Sequence, residues 1–368
     1  MINFRKYSNI TKIVIPNNIK LSSGDFSSKF TNMKNLVNLN FNHPNMTNIA
    51  YTYQNCYNLT GSPVCGPNVI NMSSAYYSCN NLTGPPVCGN NVTNMSNAYN
   101  RCANLTGSPV CGPNVINMSS AYYNCYNLTG SPVCGPNVIN MSIAYYNCYR
   151  LKGSPVCGPN VTDMSNAYDS CYSLTGPPVC GDKVTDMSNA YAGCYNLTGS
   201  PVCRNNVINF YRVYVGCANL TGSPVCGPNV TNMAYAYARC YNLTGSPVCG
   251  PNVTDMAYAY ASCYSLTGPP VCGPNVTNMS NAYQYCNNLS AGTYYFRSKN
   301  ITCARGLFSY QTRSRRFNIH LPAGSTSLST FYISNTHSIV GTNVTWTNDG
   351  ANFYNTAYNI YIYANSSL

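Results

Sequence analysis

Twenty-two cysteines, three histidines and a handful of aspartates are the side chains of this chain best equipped for chemistry, and no glutamate accompanies them. All but one of the cysteines fall into two rows with a period of 23 residues. One row begins Cys56, Cys79, Cys102, Cys125 and runs to Cys286; the other runs from Cys65 to Cys272. Thiols at fixed spacing allow nucleophilic, disulfide or metal chemistry. Each of these needs a further partner. No CxxC pair is present, and His43, His320 and His337 lie towards the two ends of the chain. The composition therefore offers little for a zinc site or a cysteine–histidine pair. Asp163, Asp186 and Asp255 occupy the repeat position that Asn71 holds, so they read as substitutions in a structural slot. No G-x-S-x-G, P-loop or G-x-G-x-x-G appears. The expectation is a non-enzyme with no cofactor and no metal. The first cysteine row reads as small apolar core side chains. For the second row, thiol, disulfide and, more remotely, metal all stay open.

These residues are positioned by one repeating sentence. Its first clear copy runs from Cys56 to Ser78, CYNLTGSPVCGPNVINMSSAYYS. Leu59, Leu82 and Leu105 recur with it, as do Tyr76, Tyr99 and Tyr122, and Phe210 once replaces the recurring methionine. A fixed period in this range predicts a repeat solenoid in which neighbouring turns bury a shared core. The LVNLNF stretch at Leu36–Phe41 alternates as a strand should, and the later turns are expected to keep a short strand at Ser62–Val64. Pro63 and its equivalents remove a ladder donor there, so that strand should be very short. Gly66-Pro67-Asn68 reads as a turn. Val69, Met72, Ala75, Tyr76 and Cys79 then follow helical spacing and predict a short helical or 3₁₀ back segment. The expected fold is thus leucine-rich-repeat-like. Residues 1–32 form an N-terminal cap, residues 33–288 about eleven turns, and residues 289–368 a degenerate last turn and a β-rich C-terminal cap.

Charge is scarce: 7% of residues are charged, so asparagine, serine, threonine and tyrosine must carry the surface. The net charge of +12 sits mostly before residue 35 and between Arg297 and Arg316. Charged ends suit terminal turns that must not stack end to end, or an end that meets an anionic partner. That placement argues against nucleic acid along the repeats. No apolar run approaches a membrane-spanning helix, and MINFRKYSNITKIVIPNN lacks a signal-peptide core. The expectation is synthesis in a cytoplasm without membrane insertion. The many NLT, NVT and NMS triplets read as asparagines bonding neighbouring turns rather than as glycan acceptors.

The run Asn91-Val92-Thr93-Asn94-Met95-Ser96-Asn97-Ala98-Tyr99-Asn100-Arg101-Cys102 resembles the BspA-like leucine-rich repeats of bacterial surface proteins, over roughly residues 33–308. The second cysteine, the GSPVCGP stretch and tyrosine in place of phenylalanine depart from that pattern. The resemblance implies adhesion without catalysis, and it extends to protist proteins and phage-encoded structural proteins. With the low charge it points to a phage tail or host-recognition protein in the virion, made in the host cytoplasm. Its partners would be a cell-surface glycan or protein, and other virion proteins at the basic caps. A bacterial or protist adhesin at the cell surface is the alternative; a cysteine-row metal-binding or catalytic protein is a third. A candidate binding row follows the ladder cysteine: Tyr57, Tyr126, Tyr149, Tyr172, Tyr195, Tyr241 and Tyr264. Asn80 and Ala103 interrupt it, as expected of exposed positions. Rigid amphipathic rings suit recognition, and turn-to-turn stacking is the other, leading reading of the row.

Overall fold

The computed structural model describes residues 9–14, 23–40, 43–304, 306–308, 317–322, 345–347, 352–355 and 360–366. They cluster into two compact units, Met1–Val184 and Thr185–Leu368.

In the first unit, β1 (Lys12–Val14) pairs in parallel with β2 (Asn38–Asn40), Lys12 lying opposite Asn38. That offset is 26 residues. From Asp25 onward the offset becomes 23, and single parallel bridges join Asp25 to Asn48, Asn48 to Asn71, and so on to Asp163. Val69, Met72, Ala75, Tyr76, Cys79 and Leu82, with their equivalents, are buried. The recurring residues of the sequence are therefore the core.

Two local expectations are corrected. No helix is found among the described residues, and none of them between β2 and Gly292 forms a strand. The back segment is a chain of overlapping β-turns. In the repeat around Tyr122, Ala121 N–H donates to Met118 C=O, Tyr123 to Ser120 and Cys125 to Tyr122, at 3.1, 3.2 and 3.1 Å. The alternate amides, of Met118, Ser120, Tyr122 and Asn124, donate instead to Asn140, Ser142, Ala144 and Tyr146 of the next repeat at 2.8–3.0 Å. A helix would keep all these amides for itself. The switch is made by two left-handed residues four apart, Ser120 at φ 54° and Asn124 at φ 60°. A succession of i→i+3 turns produces the same apolar spacing as a helix, so the pattern alone does not separate them.

The Ser62–Val64 stretch fails as a strand because its backbone is satisfied elsewhere. Tyr76 Oη donates to Val64 C=O at 2.7 Å and accepts Val64 N–H at 2.9 Å. The neighbouring proline has no N–H to offer. The same clip recurs between Tyr145 and Val133. Gly130 lies where this stretch meets the repeat before it: a Cβ there would sit 2.5 Å from Ser108 Cα.

Among the described left-handed residues other than glycine, Ile143 is the β-branched one. Ile143 adopts φ 59° where neighbouring repeats place Ser120 and Asn166. A β-branched side chain in the left-handed region is strained by about 1 kcal/mol or more. Ile143→Asn is therefore expected to stabilise the protein by about 1 kcal/mol. A urea midpoint that falls or stays put would refute this.

The second unit repeats the pattern. Parallel bridges run from Asp186 through Asn209, Asn232, Asp255 and Asn278 to Cys303, the last offset being 25 residues. Phe308 stacks on Tyr283 at 5.7 Å, taking the place of the ladder tyrosine, and Phe210 is fully buried in the methionine slot. A five-stranded mixed sheet follows, built of β3 (Gly292–Tyr295), β4 (Phe317–Pro322), β5 (Thr345–Thr347), β6 (Asn352–Asn355) and β7 (Ile360–Ser366). Its order is β3-β4-β7-β6-β5, and it is open. The stretches RRFNIHLP, NVTWTNDG and YNIYIYA supply β4, β5 and β7 as expected. STFYIS lies outside the described residues, as do Ile15 and Phe41.

Candidate functional site

All 22 cysteines lie among the described residues and none is in a disulfide. In the first row the S–H has a fixed acceptor. Cys125 Sγ donates to Tyr99 C=O at 3.0 Å and Cys148 Sγ to Tyr122 C=O at 3.1 Å. The tyrosine carbonyl thereby serves its own turn and the next repeat together. Burial pushes these thiols far up; Cys56, at the start of the row, is raised to about 12. In the second row the residue is half-buried, save Cys180 and Cys272, which are buried, and the sulfur of Cys111 accepts the Gly135 N–H at 3.3 Å, as those of Cys203 and Cys249 accept the equivalent glycine amide. Burial raises Cys134 and Cys226 to about 12 and Cys157 to about 11, although the glycine amide works against it. Thiols held protonated make poor nucleophiles and poor ligands. No cluster of three or more His, Cys, Asp or Glu side chains suited to a metal occurs among the described residues. No helix there is long and apolar enough to cross a membrane.

The aspartates occupy the asparagine slot structurally too. Asn140 Oδ1 accepts Ser142 N–H at 2.9 Å, and Asp163 Oδ1 accepts Ser165 N–H at the same distance. A second asparagine row bonds across repeats, with Asn137 Nδ2 donating to Pro113 C=O at 3.0 Å.

Tyrosine forms two kinds of row. The invariant one is core: Tyr99, Tyr122, Tyr145 and Tyr168 stack at 5.4–5.6 Å and are fully buried. The row after the ladder cysteine is stacked and still half-exposed. In the first unit Tyr126, Tyr149 and Tyr172 lie 5.1 and 4.9 Å apart with interplanar angles of 13° and 0°. Asn80 and Ala103 separate Tyr57 from them; Tyr57 is exposed, with Lys34 Nζ 6.0 Å from its ring centre. In the second unit Tyr241 and Tyr264 stack at 5.1 Å and Tyr195 is exposed. Stacking and exposure thus coexist in one row.

Further aromatic rows escaped the sequence reading. Tyr123 and Tyr146, each one residue after a ladder tyrosine, stack at 5.2 Å. They lie close enough to Tyr149 that, after burial and the flanking Tyr172 and Tyr126, their charge helps raise its hydroxyl. Five tyrosines therefore share one surface in the first unit. In the second unit Tyr235 and Tyr258 stack at 4.6 Å, and the Arg212 guanidinium sits 5.9 Å from both Tyr211 and Tyr235. The signal available was the variation of these positions between repeats, set against the invariant core tyrosine.

No protein-family model matches the chain, and a search of curated proteins returns no match.

Proposed function

We propose that the chain is a non-enzymatic adhesion protein, a leucine-rich-repeat-like solenoid of the BspA type. In this reading it serves in a phage virion as a tail or host-recognition component, made in the host cytoplasm. It binds a cell-surface glycan or protein through the tyrosine surface of Tyr126, Tyr149 and Tyr172 with Tyr123 and Tyr146, and it meets other virion proteins at its basic ends. The observation that carries the reading is the stacked, half-exposed row at 4.9–5.1 Å. Rings already held by their neighbours lose little freedom on binding, so each weak contact counts in full, and repetition adds the contacts together. The half-buried and buried thiols, held protonated, support packing over catalysis.

The test is binding of purified protein to a glycan array and to whole bacterial cells. The triple variant Tyr126→Ser, Tyr149→Ser, Tyr172→Ser should lose at least about tenfold in retention. Equal retention of variant and parent would sink the proposal. Retention only on eukaryotic matrix proteins would favour a surface adhesin instead.

A further inference from the structure

A groove of about 560 Å³ runs across five successive repeats of the first unit, on residues separate from the tyrosine surface. One side is a row of asparagines, Asn91, Asn114, Asn137 and Asn160. The other is Thr93, Ile116, Ile139 and Thr162, isoleucine at the centre and threonine at each end. Ile116 and Ile139 are both 46% exposed, much for isoleucine. Of the lining residues Lys183 alone is charged.

Both rows are held rigidly. Each asparagine Nδ2 donates to a backbone carbonyl of the preceding repeat at 3.0 Å: Asn91 to Pro67, Asn114 to Asn90, Asn137 to Pro113 and Asn160 to Pro136. These bonds fix the carboxamide planes and leave the Oδ1 atoms as a row of oriented acceptors. Asn160 Oδ1 takes the Lys183 ammonium at 2.7 Å, which shows the acceptor in use. The isoleucine row is anchored by its backbone, with Ile139 N–H donating to Ile116 C=O at 2.9 Å. The groove is thus a line of hydrogen-bond acceptors beside a line of methyl-bearing side chains, one of each in four repeats, with Lys183 in the asparagine slot of the fifth.

We propose that this groove binds an extended, unbranched glycan with equatorially linked pyranose rings, one sugar per repeat. Three observations favour that occupant. The first is spacing. Bridged repeats advance by about 4.8 Å, as parallel strands do, and the outer tyrosines Tyr126, Tyr149 and Tyr172 stack at 4.9–5.1 Å. That step is close to the length of one pyranose ring in an extended chain. It does not fit the roughly 3.4 Å rise of a peptide strand. The second is polarity. Acceptors in a row call for donors in a row, which sugar hydroxyls supply, while the C–H faces of the rings suit the isoleucines. A peptide strand would need an open backbone edge offering both N–H and C=O. The third is charge. One lysine in the lining cannot hold a polyanion, so a hydroxyl-rich neutral chain is the better match.

The experiment is calorimetry of the whole chain with linear cello-, chito- and manno-oligosaccharides from dimer to octamer. Affinity is expected to climb with each sugar to the pentamer and then level off, as five repeats line the groove. Ile139→Glu, at an exposed side chain, should cut pentamer affinity at least about tenfold, as a desolvated charge on the sugar face would. Its circular dichroism and melting temperature should match the parent. Ile208→Glu, at an exposed isoleucine of the second unit outside the groove lining, should leave pentamer binding unchanged. Binding to none of the three series would overturn the proposal, as would affinity independent of length. Loss with Tyr149→Ala but not with Ile139→Glu would overturn it too, and would assign the sugar to the tyrosine surface. A groove that binds while the tyrosine variants still retain cells would instead count against the function proposed above.

Discussion

Raising the pH from neutrality to about 12 is expected to unfold this protein progressively, beginning near pH 9, with cysteine as the cause. Burial lifts the thiols of both rows above their ordinary value of 9.0: Cys56, Cys88, Cys134, Cys226 and Cys286 to about 12, Cys203 and Cys249 to about 11. Several first-row thiols and the core tyrosines rise further still, again through burial. Between about pH 9 and about 12 the unfolded chain has released these protons while the folded chain retains them. The folded state then binds more protons than the unfolded one, so stability falls as pH rises. Below pH 8 both states are protonated and the stabilisation is complete. With many groups acting in the same direction, the loss accumulates steeply. The measurement is the melting temperature against pH from 7 to 11 under reducing conditions. Replacing Cys111, Cys134 and Cys157 with alanine should flatten the slope. A melting temperature flat to pH 11 would mean that the thiols are not held protonated by the fold.

Removing one hydroxyl from the core is expected to cost more than most surface substitutions. Tyr145 Oη donates to Val133 C=O at 2.6 Å and accepts Val133 N–H at 3.1 Å. Tyr145→Phe keeps the ring and its stacking, at 5.4 Å to Tyr122 and to Tyr168. It strands one donor and one acceptor in a part-buried place that has no ladder to receive them. Leaving such groups unmade costs about 1–3 kcal/mol. Urea denaturation should show that loss, and hydrogen exchange should show a local gain in rate at the Val133 amide. Tyr149→Phe, which removes an outer hydroxyl, should change stability by less than about 0.5 kcal/mol. Equal effects of the two variants would remove the clip as the reason for tyrosine.

The core was legible because burial holds nearly the same apolar residue in every repeat. Val115, Tyr122, Cys125 and Leu128 recur from Cys56 onward without gaps, Met118 and Ala121 give way once to Phe210 and Val213, and all are fully buried. The backbone between them was not legible to the same depth. Apolar spacings of three suit a helix and a run of β-turns alike, and only φ separates them. Serine, asparagine and glycine at the positions of Ser120 and Asn124 were a usable hint, blurred by Ile143, Arg212 and Tyr235 in the same conformation. The tyrosine clip also left a trace. Tyrosine stands where the resembling repeats carry phenylalanine, in the same repeats that place a proline in the expected strand. The exposed tyrosines presented two alternatives, a binding face or stacking between turns; the rings of Tyr126, Tyr149 and Tyr172 stack while staying half-exposed. The groove left no trace of its own, because the sequence pattern divided its asparagines and isoleucines between a turn and a supposed helix.

The direction of the bonds between repeats has a mechanical consequence. In the first unit the four amides from Met118 to Asn124 all donate forward to the following repeat. A pull along the line of those bonds loads every interface in series, and each interface carries the full force. The weakest should part first. The unit would then pay out chain one repeat at a time, about 80 Å of slack for each 23 residues. A tether built this way would yield in steps and shorten again when the tension fell.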